Sequence, residues 1–136
     1  MRKNRMRRIF LIFFLIPCQA FAQNCGSYEY GSLFLQVVVV EEEIDGLPTA
    51  VAKNISTSWK QNNVSGTWYN NNFMVGSINR PLSEYFDVQT IDAISILNSL
   101  GASGWEAFSH VASQREYPSS VDEWYLKRCL HFAEKT

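Results

Sequence analysis

The sequence predicts an α+β domain in which one helix packs on a small antiparallel sheet of three core strands. Three observations predict this class: an apolar, β-branched run at residues 28–43, a helical repeat of apolar residues at 88–100, and two strand-like segments at 105–114 and 123–132. A strand, a helix and two further strands in this order are typical of such domains. A hairpin from the insertion at residues 44–87 can extend the sheet.

The first strand has apolar side chains on both of its faces. Leu33 and Leu35 share one face, and Phe34 and Val38 share the other. Because successive side chains alternate along a strand, this pattern predicts a central strand or one that is covered on both faces. The strand is expected to end at residues 44–48, where Asp-Gly and Pro are turn signals.

Residues 44–87 are rich in asparagine and aromatic residues. Within them, residues 67–75 predict a small hairpin around an Asn turn, since asparagine tolerates the positive φ that such turns require. Rings next to amide groups suit a sugar ligand, so three aromatics are candidate ligand-binding residues: Trp59, Trp68 and Tyr69. The alternative is that these rings cover the second face of the sheet. Exposed tryptophans would favour glycan binding, and buried ones would exclude it.

The helical repeat at 88–100 leads into a predicted structural turn. Its apolar stripe consists of Ala93, Ile96, Leu97 and Leu100, widened by Ile91 and Ile94. Asp87 is the predicted N-cap, and Gly101 is the predicted left-handed residue after the helix. Gly104 then allows a tight bend into the next strand, and Trp105 fills the angle between helix and sheet.

The segments Leu97-Asn-Ser-Leu-Gly-Ala-Ser-Gly-Trp-Glu106 and Trp124-Tyr-Leu-Lys-Arg128 resemble a family of small bacterial domains of unknown function. That family has a strand, a helix and two strands, with a Leu-Asn-x-Leu-Gly-x-x-Gly-Trp-Glu turn and a last strand that carries Lys-Arg. The resemblance implies the α+β fold, leaves residues 44–87 uncovered and implies no activity. Glu106 on the neighbouring strand can pair with Lys127 or Arg128.

The N-terminus is predicted to be a cleaved signal peptide of residues 1–22. The basic segment MRKNRMRR precedes an apolar run at 9–16 and a small-x-small end. This run is too short to cross a bilayer as a helix, and Pro17 before Cys18 disfavours a lipoprotein. The mature domain, residues 23–136, is therefore expected in the periplasm or outside the cell, with no stable membrane span.

Export changes the balance of charges and cysteines. Five of the 12 basic residues lie in the first eight positions, so the mature domain has seven basic residues against 13 acidic ones. An acidic domain is a poor candidate for binding nucleic acid, which needs a basic footprint. The remaining cysteines, Cys25 and Cys129, are expected to form a disulfide in an oxidising compartment. The alternative is two buried free thiols.

The sequence carries no residue set that is typical of catalysis or of a cofactor. Ser109 and His110 are neighbours on a strand, so they point to opposite faces and cannot form a dyad directly. The cysteines and histidines lack the spacing of a zinc site, and residues 41–43 lack the ligand alternation of a calcium loop. We therefore expect no enzyme activity, no metal and no cofactor. The expected function is to bind an unidentified protein in the cell envelope or outside the cell, with glycan binding as the alternative.

Overall fold

The computed structural model describes residues 24–114 and 119–132, which form one antiparallel sheet with two helices on one of its faces. In chain order the elements are β1 (Cys25–Ile44), β2 (Leu47–Gln61), β3 (Val64–Tyr69), β4 (Asn72–Gly76), α1 (Leu82–Phe86), α2 (Ala93–Ala102), β5 (Trp105–Gln114) and β6 (Ser119–Phe132). The strand order across the sheet is β4-β3-β2-β1-β6-β5. The predicted signal peptide, residues 1–22, lies outside the described residues.

Two-residue turns connect the first four strands. Asp45 and Gly46 have φ values of 54° and 77°, the pair of positive values that a type I′ hairpin turn requires. Asn62 and Asn70 have positive φ at the next two turns, a conformation that asparagine tolerates better than most residues. The hairpin predicted at residues 67–75 is confirmed, because β3 and β4 pair across the Asn70 turn.

β1 is central in the sheet, as its two apolar faces predicted. It lies between β2 and β6 and is antiparallel to both. Leu33 and Leu35 point to the face that the helices cover, and both are buried. Tyr28 and Tyr30 point to the opposite face and are exposed.

The helices build the core on one side of the sheet. Leu82 and Phe86 of α1, and Ile96 and Leu100 of α2, are all buried. They pack with large side chains of the sheet, namely Leu33, Leu35, Trp59, Trp68, Trp105, Trp124 and Leu126. Removing this much apolar surface from water is the main force that stabilises the domain.

The predicted fold class is wrong. The chain is mainly an antiparallel β-sheet of six strands with two short helices, and not an α+β domain with three core strands and one helix. The difference arises in residues 44–87, where three strands add to one side of β1. Polar residues such as Asn and Ser are frequent there and weaken the local strand signal. Pairing with β1 stabilises these strands, and local propensity does not show that pairing.

α2 also differs from its prediction at both ends. Asp92 is the N-cap and accepts a hydrogen bond of 2.7 Å from the backbone N–H of Ser95. Asp87 instead ends α1, with a φ of 52°. Gly101 lies inside α2, and Gly104 adopts the left-handed conformation with a φ of 89°. The helix thus begins at Ala93 and ends at Ala102, and the Gly104 N–H bonds to the Gly101 carbonyl just after its last turn.

Gly104 turns the chain from α2 directly into β5. Trp105 follows it, is buried, and lies edge-on to Trp59 with 5.1 Å between ring centroids. Ile94 is 72% exposed, so the buried stripe of α2 is narrower than the sequence predicted.

The predicted disulfide is confirmed. Cys25 and Cys129 are bonded, and their Cα atoms are 5.7 Å apart. The bond joins the beginning of β1 to the end of its antiparallel neighbour β6. Within residues 24–114 and 119–132, neither helix is long and apolar enough to cross a membrane.

Candidate functional site

The structure places the three candidate ligand-binding aromatics in two different environments. Trp59 is 1% exposed and Trp68 is fully buried, and both belong to the core on the helix-covered face. Tyr69 points to the other face of the sheet and is exposed. Because buried rings offer no stacking face to a sugar, the two tryptophans do not support the glycan-binding alternative.

Two glycines make room for these indoles. A Cβ atom on Gly31 would lie 2.6 Å from the ring of Trp59, and one on Gly66 would lie 2.4 Å from the ring of Trp68. Both glycines are in strand interiors, where glycine often marks a close approach of another group. The sequence interpretation missed both positions, although this signal could have identified them.

A small cavity of about 270 Å³ lies between the sheet and the helices. Its volume is close to the lower end of the range for ligand pockets. The walls combine aromatic rings with hydrogen-bonding groups, and the lining residues include Trp59, Gln61, Tyr85, Phe86, Trp105 and Arg128. Both helices, β2, β5 and β6 contribute to it, so the cavity depends on the complete fold.

Arg128 at this cavity is held in place by a carboxylate and an aromatic ring. Its Nε donates to Oε1 of Glu29 at 2.5 Å, and its Nη2 also pairs with that oxygen. The guanidinium carbon lies 4.7 Å from the ring centroid of Trp105, a distance at which a cation is attracted to the ring face. Gln61 donates to the other oxygen of Glu29 at 2.7 Å. The carboxylate that binds Arg128 is therefore Glu29. Of the two partners that the sequence allowed for Glu106, Lys127 is the one that lies opposite it in the register of β5 and β6.

Glu29 is a buried carboxylate, only 6% exposed. Burial of an isolated charge is costly, and a partner with good hydrogen-bond geometry offsets the cost. Arg128 and Gln61 supply those hydrogen bonds. The ion pair therefore fixes the guanidinium at the cavity wall.

Tyr85 of α1 contributes a hydroxyl to the same cavity. Burial raises the pKa of Tyr85, while the Trp59 indole and the positive charges of Arg80 and Arg128 act in the opposite direction. The Trp59 N–H is thus near the Tyr85 hydroxyl, but the two groups do not reach hydrogen-bond geometry, and the indole nitrogen is buried with no partner in the described structure.

The sheet face opposite the helices, here called the open face, carries a group of exposed rings. Tyr28, Tyr30, Phe108 and Tyr125 are all at least partly in contact with solvent. Tyr30 and Phe108 meet edge-on, with 6.1 Å between their ring centroids. The Lys127 ammonium lies 5.0 Å from the ring centroid of Tyr28. These contacts partly shield the rings from water.

A second surface feature is the distal half of the β1–β2 hairpin, here called the ribbon, which consists of residues 39–53. β6 pairs with β1 only as far as Val38, and β3 pairs with β2 only from Ser56. Within the part of the chain that the structure describes, the ribbon therefore extends beyond the other strands as a two-stranded hairpin. Ile44 and Leu47 lie at its tip and are 47% and 68% exposed.

His110, which follows Ser109 in the sequence, contacts two side chains of β6. The ring of His110 stacks on Trp124 with 4.7 Å between centroids, and its Nε2 lies 2.8 Å from Oδ1 of Asp122. Among the described residues, no group of three or more His, Cys, Asp or Glu side chains could hold a metal ion.

Comparison with known proteins gives no match to any family model, curated protein or solved structure. The resemblance based on the Gly101–Glu106 turn and the Lys127-Arg128 pair stays a prediction.

Proposed function

We propose that this protein is an exported, non-enzymatic interaction module that binds another protein through the ribbon. The observation that carries the proposal is the exposed apolar tip of the ribbon. Ile44 and Leu47 at this tip lie beyond the ends of the strands that flank β1 and β2. A two-stranded hairpin is marginally stable alone in water. A partner that covers the tip would stabilise it.

The apolar surface of the ribbon continues from its tip towards the sheet. Ile44 pairs with Leu47, and Val40 pairs with Val51 on the same face. Val40 and Val51 are half-buried, whereas the two tip residues are exposed. A partner with an apolar groove can bury this short stripe, as an anchor in a pocket does at many protein interfaces.

The charges of the ribbon indicate which side chains the partner should carry around its apolar groove. Glu41, Glu42, Glu43 and Asp45 are in the ribbon, and Lys53 is its one basic residue. Lys53 binds Oε1 of Glu42 at 2.6 Å, which leaves an acidic excess around the tip. Charge complementarity steers association and selects partners. We therefore infer a partner whose apolar groove is bordered by Lys or Arg side chains.

Export to the periplasm or medium is part of this proposal. It is supported by the basic and apolar pattern of residues 1–22 and by the Cys25–Cys129 disulfide. Disulfides persist in oxidising compartments and are rare in the cytosol. Mass spectrometry of exported protein that begins at Gln23 would support the proposal, and a retained Met1 or a lipid on Cys18 would contradict it.

The ribbon is tested by site-specific photo-crosslinking of the full chain in producing cells. A photoreactive residue replaces Leu47 in one variant and Ile94 in the control, because Ile94 is equally apolar and even more exposed but lies on α2. We expect one defined adduct from position 47 that is absent from position 94. The crosslinked peptide should carry Lys or Arg, and raised salt should reduce the yield.

Three results would contradict the proposal. They are equal crosslinking from the two positions, an acidic crosslinked peptide, and an adduct that persists when the remaining tip residue is changed by Ile44→Ser.

A further inference from the structure

We propose that β5 is a dimerisation edge, at which the sheet of a second copy of this chain continues the sheet of the first. This inference goes beyond the proposed function, because it concerns a second copy at the edge of the sheet and not another protein at the ribbon. It rests on the open backbone of β5, on the lack of protecting residues in this strand, and on a sequence that matches itself in antiparallel order.

β5 is the outer strand on one side of the sheet and pairs only with β6 among the described residues. At a sheet edge, alternate N–H and C=O groups point away from the neighbouring strand and lack a strand partner. Within the described part of the chain, no backbone group outside β6 forms a hydrogen bond with the backbone of β5. Side chains 106–113 are exposed on both faces, so the helices leave this part of the strand open. A further strand can therefore approach β5 from the side.

β5 lacks most of the features that protect an edge strand. Natural edge strands are often short, carry Lys, Pro or inward-pointing charges, or bulge away. The other edge strand, β4, is five residues long. β5 is ten residues long, contains no Lys, Arg or Pro, and has one acidic residue, Glu106, near its beginning. Its bulge lies between Ala107 and Ser109. Residues 109–113, here called the edge segment, follow the bulge and are regular.

The edge segment is self-complementary about Val111. In an antiparallel pair around a two-fold axis perpendicular to the sheet, opposite residues lie on the same face. With Val111 on the axis, it lies opposite Val111 of the second copy, Ser109 lies opposite Ser113, and His110 lies opposite Ala112. An apolar pair is thus flanked by two serine pairs on the open face. Such pairs stabilise a sheet, and no two carboxylates or ammonium groups oppose each other.

Neighbouring registers fit less well. A shift by one residue would place the side chains of the two copies on opposite faces. An axis at His110 would bring Phe108, in the bulge, opposite Ala112. An axis at Ala112 would place Val111 opposite Ser113 and separate the two valines. The register around Val111 is therefore the one that we infer.

Dimerisation would give the open backbone its hydrogen bonds and cover apolar surface. Pairing of the two edge segments adds about four to six backbone hydrogen bonds. Val111 is 54% exposed, and its pairing with the same residue of the second copy would remove part of this surface from water. A contact of this size is smaller than a standard protein interface. We therefore expect a weak dimer with a Kd of about 10 μM to 1 mM.

Sedimentation equilibrium of the exported, disulfide-bonded protein over a range of concentrations measures this dimer. Val111→Lys places two ammonium groups opposite each other at the axis and should weaken the dimer by about tenfold or more. Val75→Lys is the matched control, because Val75 is an equally exposed valine on the other edge strand, β4. It should leave the dimer unchanged. Leu47→Ser at the ribbon should also leave it unchanged, so failure of the edge and failure of the ribbon are distinguishable.

Two double variants test the register. Ser109→Glu with Ser113→Glu places carboxylates opposite each other on both sides of the axis. Ser109→Lys with Ser113→Glu places an ammonium opposite a carboxylate at the same two points. At low salt the second variant should dimerise at least about tenfold more tightly than the first, and added salt should reduce the difference. Both serines are exposed, so these changes should not prevent folding.

Three outcomes would overturn the inference. A wild-type protein that stays monomeric at about 1 mM shows that β5 does not pair with a second copy. Equal weakening by Val111→Lys and Val75→Lys shows that the contact between copies is not at β5. Equal affinities of the two double variants contradict the register around Val111.

Discussion

The ribbon and the body of the sheet are built from the same two long strands, yet their side chains have very different environments. Here the body means the part in which β1 pairs with β6, residues 25–38. In the body, Leu33 is fully buried under the helices. In the ribbon, Val39 and Val40 are only half-buried, although they continue the same apolar run. The difference comes from neighbouring elements and not from local sequence.

This difference separates two uses of apolar residues. In the body they pack against helices and tryptophans and stabilise the domain. In the ribbon, residues 39–53 have no third strand and no helix against them within the described part of the chain. Exposed apolar residues on a projecting hairpin contribute little to the free energy of folding, and they are available for a partner.

A leucine-to-alanine substitution should affect stability strongly in the body and weakly in the ribbon. Leu33→Ala should lower the free energy of unfolding by about 2–5 kcal/mol, because it leaves a cavity in a closely packed core. Leu47→Ala should change it by no more than about 0.5 kcal/mol, as is usual for an exposed residue. Denaturant unfolding of both variants under identical oxidising conditions measures the two values. Similar losses would show that the ribbon is part of the cooperative core.

Loss of the disulfide should destabilise the body of the sheet. Cys25→Ser should lower the free energy of unfolding by about 2–5 kcal/mol, because the bond closes a loop with a sequence separation of 104 residues and restricts the unfolded chain. The melting temperature of the variant should no longer respond to reductant, while that of the wild type should fall on reduction.

Hydrogen exchange then separates the two regions. Loss of the bond should speed amide exchange in the body. Exchange at residues 39–53 should change little, because the ribbon opens without unfolding of the body. Two free thiols in non-reducing peptide maps of the exported protein would contradict the disulfide. Faster exchange of the ribbon alone would contradict the assignment of the bond to the body.

The sequence predicted those parts of the molecule that local patterns determine. Strand β5 at residues 105–114, the Asn70 hairpin and the partner of Cys25 follow from alternation, turn chemistry and cysteine number. The identity of the residue with positive φ after α2 did not follow. Gly101 and Gly104 both suit that position. Which of them adopts it depends on where packing against the core ends the helix.

The cavity could not be predicted from local patterns. Glu29 and Arg128 are 99 residues apart in sequence, and Tyr85 and Trp59 come from two further segments. Only the order of the strands brings these residues together. The polar residues of 44–87 concealed β2, which joins the predicted β3–β4 hairpin to β1. Gly31 and Gly66 were the available signals that large rings lie above the sheet.

Each of the two regions has a glycine with positive φ at a turn. Gly46 at the tip of the ribbon has a φ of 77°, and Gly104 before β5 has a φ of 89°. A Cβ on Gly46 would meet nothing within 4 Å, and one on Gly104 would meet only the flexible Arg128 side chain at 3.5 Å. Any cost of a valine is therefore conformational strain, about 1–3 kcal/mol at either position.

The two variants should nevertheless differ in melting temperature. Gly104→Val strains the connection that places Trp105 in the core, so the domain cannot relieve the strain without losing core packing, and its melting temperature should fall by several degrees. Gly46→Val can relieve the same strain by opening the end of the ribbon, so its melting temperature should fall less while amide exchange at residues 41–50 becomes faster. Thermal unfolding and hydrogen exchange on both variants measure this. Equal decreases in melting temperature, with no faster exchange in the ribbon, would show that the ribbon unfolds together with the body and would remove the distinction between them.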